Sequence, residues 1–259
     1  MDADILEYYD RGGERDRLAD TMELLRTKVL LARYLPAGAS VLDVGGAYGV
    51  YASWLAERGH DVRLVDPVPR HVAAAQAIGL DAVVGDARAL SEPDASQDAV
   101  LLLGPLYHLL ERAERVRALA EARRVARPGG LVIAAVISRW SPMFEGMLAG
   151  LNDVPGFTEM LREDLTSGIR RGTQHQPHGF TTCYFHRPEE IAGELVDAGL
   201  TPVDVLPVEG MAHWIPDLAA RLADPDRRAV VLELLERTER EPSLLGATAH
   251  LLAVAQAGV

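Results

Sequence analysis

An alternating α/β fold is predicted for this chain by three of its segments. Val41-Leu-Asp-Val44 is a short apolar run with one acid inside it, and it is followed by Gly45, Gly46 and Gly49 and then by the helix-like Val50-Tyr-Ala-Ser-Trp-Leu-Ala-Glu-Arg58. That order reads as strand, tight loop and helix. A second apolar run, Asp61-Val-Arg-Leu-Val-Asp66, comes next and ends in a carboxylate. Later apolar runs around Leu80–Val84, Ala99–Leu103 and Leu131–Ile137 repeat the alternation, with helix-like stretches such as Ala122-Arg-Arg-Val-Ala126 between them.

Before the first strand, about forty residues read as two helices, separated around Gly12-Gly13 and ending at Leu35-Pro36. The glycine loop after Val44 lets backbone approach a ligand, because a residue without Cβ adopts positive φ and leaves room. An acid at the end of the next strand, Asp66, suits both hydroxyls of a ribose. The pair implies an adenosine-containing cofactor. A dinucleotide fingerprint would need Gly-x-Gly-x-x-Gly, whereas Gly45 is followed by Ala47 and then Val50, so the nicotinamide pattern fails.

Beyond Ile137 the alternation breaks. Ser138 to Gly179 places Met143, Phe144, Met147, Leu148 and Leu151 at helical spacing, then a polar loop with His175 and His178 on either side of Pro177. This segment is expected to be a lid whose apolar side chains either line a substrate pocket or form core. With proline between them the two histidines lack helical ligand geometry, and no other cluster has ligand spacing, so no metal is expected. From Thr181 order returns: Tyr184 to Leu200 reads as a strand, an acid-capped helix and a glycine stop, and Thr201–Gly210 as a strand. The tail from Pro216 to the end reads as helical, a candidate pocket floor or homodimer face.

Bulk properties narrow the class. With 48% hydrophobic residues and no apolar run of membrane-spanning length, the chain can bury a core but offers no membrane span. Met1-Asp-Ala-Asp4 does not resemble a secretory signal, and the single cysteine, Cys183, cannot close an internal disulfide, so a cytoplasmic location is expected. Asp plus Glu outnumber Lys plus Arg by 38 to 26, a net charge of −12 that repels a phosphate backbone; no nucleic-acid partner is expected.

The glycine loop resembles motif I of the class I S-adenosylmethionine-dependent methyltransferases, Asp/Glu-x-Gly-x-Gly-x-Gly, at Asp43, Gly45 and Gly49, with Ala47 in place of the middle glycine. The resemblance runs in register to about Leu200. Leu80-Asp-Ala-Val-Val-Gly-Asp-Ala87 resembles the third strand, Asp98 to His108 the fourth strand and its loop, and Ala122 to Gly130 the helix and Pro-Gly-Gly turn before the fifth. Among small bacterial members, Tyr8-Tyr9-x-x-Gly12 and Gly104-Pro-Leu-Tyr-His-Leu109 also have counterparts.

The resemblance implies a Rossmann-like class I methyltransferase fold: a seven-stranded, mostly parallel sheet with helices on both faces, in a single domain spanning 1–259. Residues 1–37 would form a helical cap, 38–138 the cofactor half, 139–180 the lid and 181–259 the C-terminal strands and helices. It implies S-adenosyl-L-methionine as cofactor. Gly45, Gly46 and Gly49 would contact it through backbone, Asp66 and Pro67 at the ribose, Asp86 and Ala87 at the adenine, and Leu103 at the methionyl end. Tyr9 and Arg17 would close over it. His108 and Tyr107 are the catalytic candidates, and Tyr8, Tyr107, His175, His178 and Tyr184 the substrate candidates. His186 is a weaker histidine candidate, while His60, His71, His213 and His250 carry no site context.

Transfer from a sulfonium needs positioning first and proton removal second, so a histidine base would add to proximity rather than replace it. Amino-group enzymes of nucleic acids and proteins carry Asp/Asn-Pro-Pro-Tyr/Phe after the fourth strand, but here the place reads Leu103-Gly-Pro-Leu-Tyr107. Magnesium-dependent catechol enzymes need carboxylates there, and Leu101 to Tyr107 has none. Methyl transfer to an oxygen, nitrogen or sulfur of a small-molecule metabolite is the expected function. The alternative is a regulatory module that binds S-adenosylmethionine or S-adenosylhomocysteine without transfer.

Overall fold

Short apolar runs become strands where both faces are covered, and this chain has nine of them among the described residues, all in one sheet assembly. The computed structural model describes Ile5, Tyr9, Leu18 and residues 21–172 and 181–258. In chain order the strands are β1 (Ser40–Val44), β2 (Asp61–Asp66), β3 (Asp81–Val84), β4 (Gln97–Leu102) and β5 (Ala126–Ser138). They continue as β6 (Ile169–Arg170), β7 (Cys183–His186), β8 (Leu200–Pro207) and β9 (His250–Ala257). β3, β2, β1, β4 and β5 lie parallel in that order; β9 runs antiparallel beside β5, and β8 antiparallel beside β9. These seven strands form the expected Rossmann-like sheet.

Two corrections follow. The strand at Tyr184 is β7, which pairs antiparallel with β6 as a small hairpin, so the strand count is nine rather than seven. The tail is not helical to its end, because His-Leu-Leu-Ala-Val-Ala-Gln-Ala257 forms β9, the strand beside β5. Its alanines read as helix formers, yet Leu251 to Ala255 are fully buried between two strand neighbours, and a short apolar run is ambiguous by periodicity alone.

Side chains alternate across the sheet. Leu42, Val44, Val100, Leu102, Val132 and Ala134 pack under α4 (Arg112–Val125) and α7 (Pro188–Asp197). Val41, Leu64, Ala99, Leu101 and Ile133 pack on the other face, under α1 (Met22–Tyr34), α2 (Val50–Ala56) and α3 (Pro69–Ala77). α1 begins at Thr21, whose hydroxyl accepts the Leu24 amide at 3.1 Å, and ends before Pro36 as the sequence implies. The lid region holds α5 (Ser141–Leu148) and α6 (Phe157–Ser167), and the tail holds α8 (Leu218–Ala223) and α9 (Pro225–Thr238). Among the described residues no helix is long and apolar enough to cross a membrane.

The hairpin has a particular place. β4 pairs with β5 only as far as Leu102–Ala134, while Ile137 of β5 pairs with His250 on one edge and Phe185 on the other. β7 therefore occupies the edge that β4 vacates and lies past the carboxyl end of β4. Buried charges fix it there. Arg115 of α4 reaches Glu194 of α7 at 2.7 Å, Glu194 meets His186 Nε2 at 3.3 Å, and the Arg115 guanidinium lies 3.8 Å from the Tyr184 ring centroid. Burial alone would raise the Glu194 carboxyl, but hydrogen bonds from His186 and Arg115 hold it below its ordinary value.

Glu194→Ala leaves Arg115 buried without its carboxylate and should cost about 3–5 kcal/mol in urea unfolding. The double change Arg115→Met with Glu194→Leu should recover most of that loss, since an apolar pair removes both desolvation costs; equal instability of the two variants would show that the charges are not the cause.

Candidate functional site

The chain runs from β1 outward to β2 and β3 and then crosses back to β4, so the carboxyl ends of β1 and β4 are splayed apart where the strand order reverses. A cleft opens there, holding about 1110 Å³ of atom-free space including the part open to solvent.

Its floor is the loop after β1. The Gly45 amide closes onto the Val65 carbonyl at 2.7 Å. A Cβ at Gly46 would stand 2.5 Å from an Asp43 carboxylate oxygen, so only glycine passes there. Ala47, at the place where the methyltransferase motif has its middle glycine, adopts φ +47°, a left-handed conformation that an alanine reaches only at a cost. Gly49, at φ +81°, turns the chain into α2 but does not line the cleft.

Asp66 ties this loop to the next. One carboxylate oxygen accepts the Ala47 amide at 2.9 Å; the other accepts the Val68 amide at 2.9 Å and faces His71 Nδ1 at 3.0 Å. Asp43 differs. It is wholly buried and lines the same cleft; the Ala52 amide approaches it and lowers its carboxyl slightly, but no donor reaches either oxygen in full bonding geometry. Burial, and then the nearby charge of Asp66, push its carboxyl up to about 7.

Of the expected cofactor residues, Tyr9, Gly45, Gly46, Asp66, Pro67, Asp86, Ala87 and Leu103 line the cleft. Asp86 is gripped by Arg88, which donates from Nε at 2.9 Å and Nη2 at 2.7 Å, and this pairing draws its carboxyl down to about 2. An adenine amine would have to share it with that guanidinium.

Tyr107 and His108 also line the cleft, in the turn after β4. His108 Nδ1 lies 3.4 Å from the Thr182 carbonyl, which can only accept, so Nδ1 carries the proton. Nε2 is then the acceptor, and the Tyr9 hydroxyl donates to it at 2.6 Å. Burial pushes the His108 imidazole down to about 4, so it is neutral at neutral pH. Arg70 holds Tyr9 in place through its carbonyl at 2.7 Å.

Other candidates lie elsewhere. Tyr184 does not line the cleft; its hydroxyl donates to Glu190 and its ring lies under Arg115. None of Met143, Phe144, Met147, Leu148 or Leu151 lines it, and Met147 and Leu148 face outward. Tyr8, Arg17, His175 and His178 lie outside the described residues. Cys183 is fully buried with Tyr107, Ile137 and Phe185, and burial pushes its thiol up to about 12, which suits packing and not nucleophilic chemistry. Away from the cleft, Glu23, Glu209 and His250 converge. Glu209 there accepts from the Thr248 hydroxyl, the His250 amide and His250 Nδ1, so its oxygens are already engaged.

Tyr48, Tyr51 and Arg88, which the sequence does not single out, complete the walls, and His71, expected to carry no site context, lines the cleft as well. His71 stands in the first turn of α3, where a helix start brings its side chain back to the strand-end acid. The Pro69 that opens that helix was the one sequence signal that could have found it.

Comparison with known proteins agrees with this geometry. Residues 41–130 match the family model described as a methyltransferase domain. The ubiquinone biosynthesis O-methyltransferase of Methylocella silvestris is 34% identical over 134 residues, 48% of this chain and 51% of that protein, so the match spans about half its length. The protein of the same description from Xanthomonas axonopodis pv. citri is 28% identical over 205 residues, 76% of this chain and 77% of its own. Among solved structures, 1,6-didemethyltoxoflavin-N1-methyltransferase of Burkholderia thailandensis, with bound 1,6-didemethyltoxoflavin and S-adenosylhomocysteine, superposes with a TM-score of 0.58. It shares 21% identity and covers 98% of this chain and 84% of its own. The chain has the Rossmann-like fold of the S-adenosylmethionine-dependent methyltransferases, and its residues 41–130 match their domain.

The residues present fit S-adenosylmethionine. Asp43, a buried carboxylate with neither oxygen in a hydrogen bond, lines the cleft and suits a cationic ligand, and Gly45 and Gly46 line the same cleft with backbone, Gly46 packed too closely on Asp43 and Leu64 to carry a Cβ.

Ala47→Gly should relieve the left-handed strain while keeping the amide that Asp66 accepts. An upward shift of unfolding stability of about 1 kcal/mol or less is expected, since the added freedom of the unfolded chain takes back part of the gain. A lower urea midpoint would show that the loop needs the alanine methyl.

Proposed function

We propose that this chain is an S-adenosylmethionine-dependent methyltransferase that methylates the hydroxyl oxygen of a small, phenol-like metabolite, within a single domain. The observation that carries this reading is that His108 Nε2 is already bonded to a phenol, the Tyr9 hydroxyl, at 2.6 Å. An acceptor hydroxyl that takes the place of Tyr9 meets the same nitrogen. Apolar neighbours Leu103, Tyr107 and Leu109 suit an aromatic ring. The relatives described as ubiquinone biosynthesis O-methyltransferases support an oxygen acceptor, and the negative net charge argues against nucleic acid.

When bound, S-adenosylmethionine supplies a methyl group on a positively charged sulfur. The chain supplies position. Backbone at Gly45, Gly46 and Leu103, with the carboxylates of Asp66 and Asp86, would hold the donor, with Pro67 and Ala87 against its nucleoside and Tyr9 above. His108 orients the acceptor hydroxyl by accepting its proton in a hydrogen bond. Proton transfer from a free phenol to an imidazole lowered to about 4 is uphill, so alignment carries more of the acceleration than basicity, and the hydroxyl proton passes to Nε2 and on to solvent only as the oxygen's new bond makes it strongly acidic.

A screen of phenolic metabolites with isotopically labelled S-adenosylmethionine tests this reading. Labelled product is expected, with His108→Leu lowering kcat by about 10² while the wild-type kcat shows no His108 inflection between about pH 5 and 8. Tight cofactor binding with no labelled product from any acceptor would favour the regulatory binding module instead.

Asp43 gives a second measurable consequence. The titratable and charged groups that line the cleft with it are Asp66, His71 held on Asp66, Tyr9, Tyr48, Tyr51, Tyr107, Asp86 paired with Arg88, and the neutral His108. A carboxyl raised to about 7 is largely protonated below that pH, and a bound sulfonium favours its ionised form. Affinity for S-adenosylmethionine should therefore rise severalfold from about pH 6 to pH 8 relative to that for the uncharged thioether S-adenosylhomocysteine. Calorimetry across that range checks it; Asp43→Asn should flatten the ratio, and a flat wild-type ratio removes Asp43 from the donor site.

A further inference from the structure

The hydrogen bonds around Asp66 leave too few lone pairs for a ribose. A carboxylate offers about four acceptor directions, two on each oxygen. One oxygen of Asp66 spends both, on the Val68 amide and His71 Nδ1, and the other spends one on the Ala47 amide. A single direction remains, whereas a ribose presents two hydroxyls.

The missing acceptor stands beside it. Facing a carboxylate, Nδ1 of His71 holds a ring proton, and with a single proton on the ring Nε2 is a lone-pair acceptor. That Nε2 is buried, has no hydrogen-bond partner, and belongs to a residue 2% exposed that lines the cleft. The Tyr48 ring, at a centroid separation of 4.6 Å, and the Tyr9 ring, at 5.7 Å, fix the imidazole plane from two sides. A buried acceptor without a donor is costly unless a ligand supplies one.

We propose that His71 is a cofactor-binding residue that divides the ribose diol with Asp66, Asp66 accepting one hydroxyl and His71 Nε2 the other. This rests on the cofactor assignment above. It replaces the expectation that the strand-end acid takes both hydroxyls alone. The same imidazole both orients Asp66 through Nδ1 and binds through Nε2, so the two acceptors are set at one fixed spacing.

Calorimetry with S-adenosylhomocysteine and its 2′-deoxy and 3′-deoxy analogues tests the division. With the wild-type enzyme each missing hydroxyl should weaken binding by roughly tenfold. In His71→Phe the parent ligand should bind roughly tenfold more weakly, and one analogue should lose its penalty while the other keeps it. His71→Gln, which restores an acceptor oxygen, should recover part of the difference. Nitrogen-15 NMR of the wild-type enzyme labelled at histidine gives a readout that no variant needs to fold for: Nε2 of His71 should shift on binding the parent ligand and stay unshifted with one deoxy analogue. Equal penalties for both analogues in His71→Phe, or an Nε2 signal indifferent to all three ligands, would overturn the proposal. Failure of the wild-type enzyme to bind S-adenosylhomocysteine at all would overturn the cofactor assignment, and this inference with it.

Discussion

The carboxylate of Asp66 is the constraint on which the site depends. It stands at the end of β2 and gathers donors from the glycine loop through Ala47, from its own following turn through Val68, and from α3 through His71. Each of these segments would otherwise be free to move relative to the others, because loops lack the ladder bonds that fix strands. The left-handed backbone at Ala47 is tolerated since the amide it turns inward meets a charged acceptor, and bonds to charged groups are worth about 1.5–3 kcal/mol, enough to offset the strain.

Charge in the cleft is arranged around that residue. Asp43 shares the cleft with Asp66 and has only the Ala52 amide nearby as a donor, so burial and the Asp66 charge hold its carboxyl up. His108, in the turn after β4, stays neutral because burial disfavours its cation, and its Nε2 accepts from Tyr9. Beside the Asp86–Arg88 ion pair, the pocket holds one carboxylate satisfied by protein donors, one reluctant anion and an uncharged acceptor-side nitrogen. A ligand that is positive at its centre and neutral where it reacts completes such a set without bringing surplus charge into the interior.

The parts of this arrangement that the sequence reveals are those written locally. β1, its glycine loop and Asp66 follow from residue type and order within one stretch, since a strand buried on both faces must be apolar throughout and a tight loop must admit glycine. What stayed hidden depends on meetings across the chain. Tyr9 and His108 are brought together by folding alone, as are Arg88 with Glu114 and Arg115 with Glu194. β9 was read as helix because Ala253, Ala255 and Ala257 suit either state, and only the open edge of β5 decides between them. Tyr184 has the composition of a substrate contact, yet Arg115 and Glu190 claim it from behind. His71 looked idle because its function comes from a lone pair left over after Asp66 has been satisfied.

The acceptor side follows from the same reasoning applied to backbone. β7 lies past the end of β4, so the wall opposite His108 is the main chain at Thr182. Its position is held by side chains pointing away from the cleft: Arg115 with Glu194, Arg170 with Asp164, and Arg139 with Glu190 at 3.1 Å. Apolar residues could have held it too, and often more stably, but a buried ion pair tolerates few alternative registers because a slip leaves both charges without partners. For a two-residue strand such as β6, which has little ladder to define its pairing, that intolerance supplies the register that hydrogen bonds alone would leave loose. The distance from the Thr182 carbonyl to His108, and with it the imidazole face offered to the acceptor, is thereby set by charges that never touch the substrate.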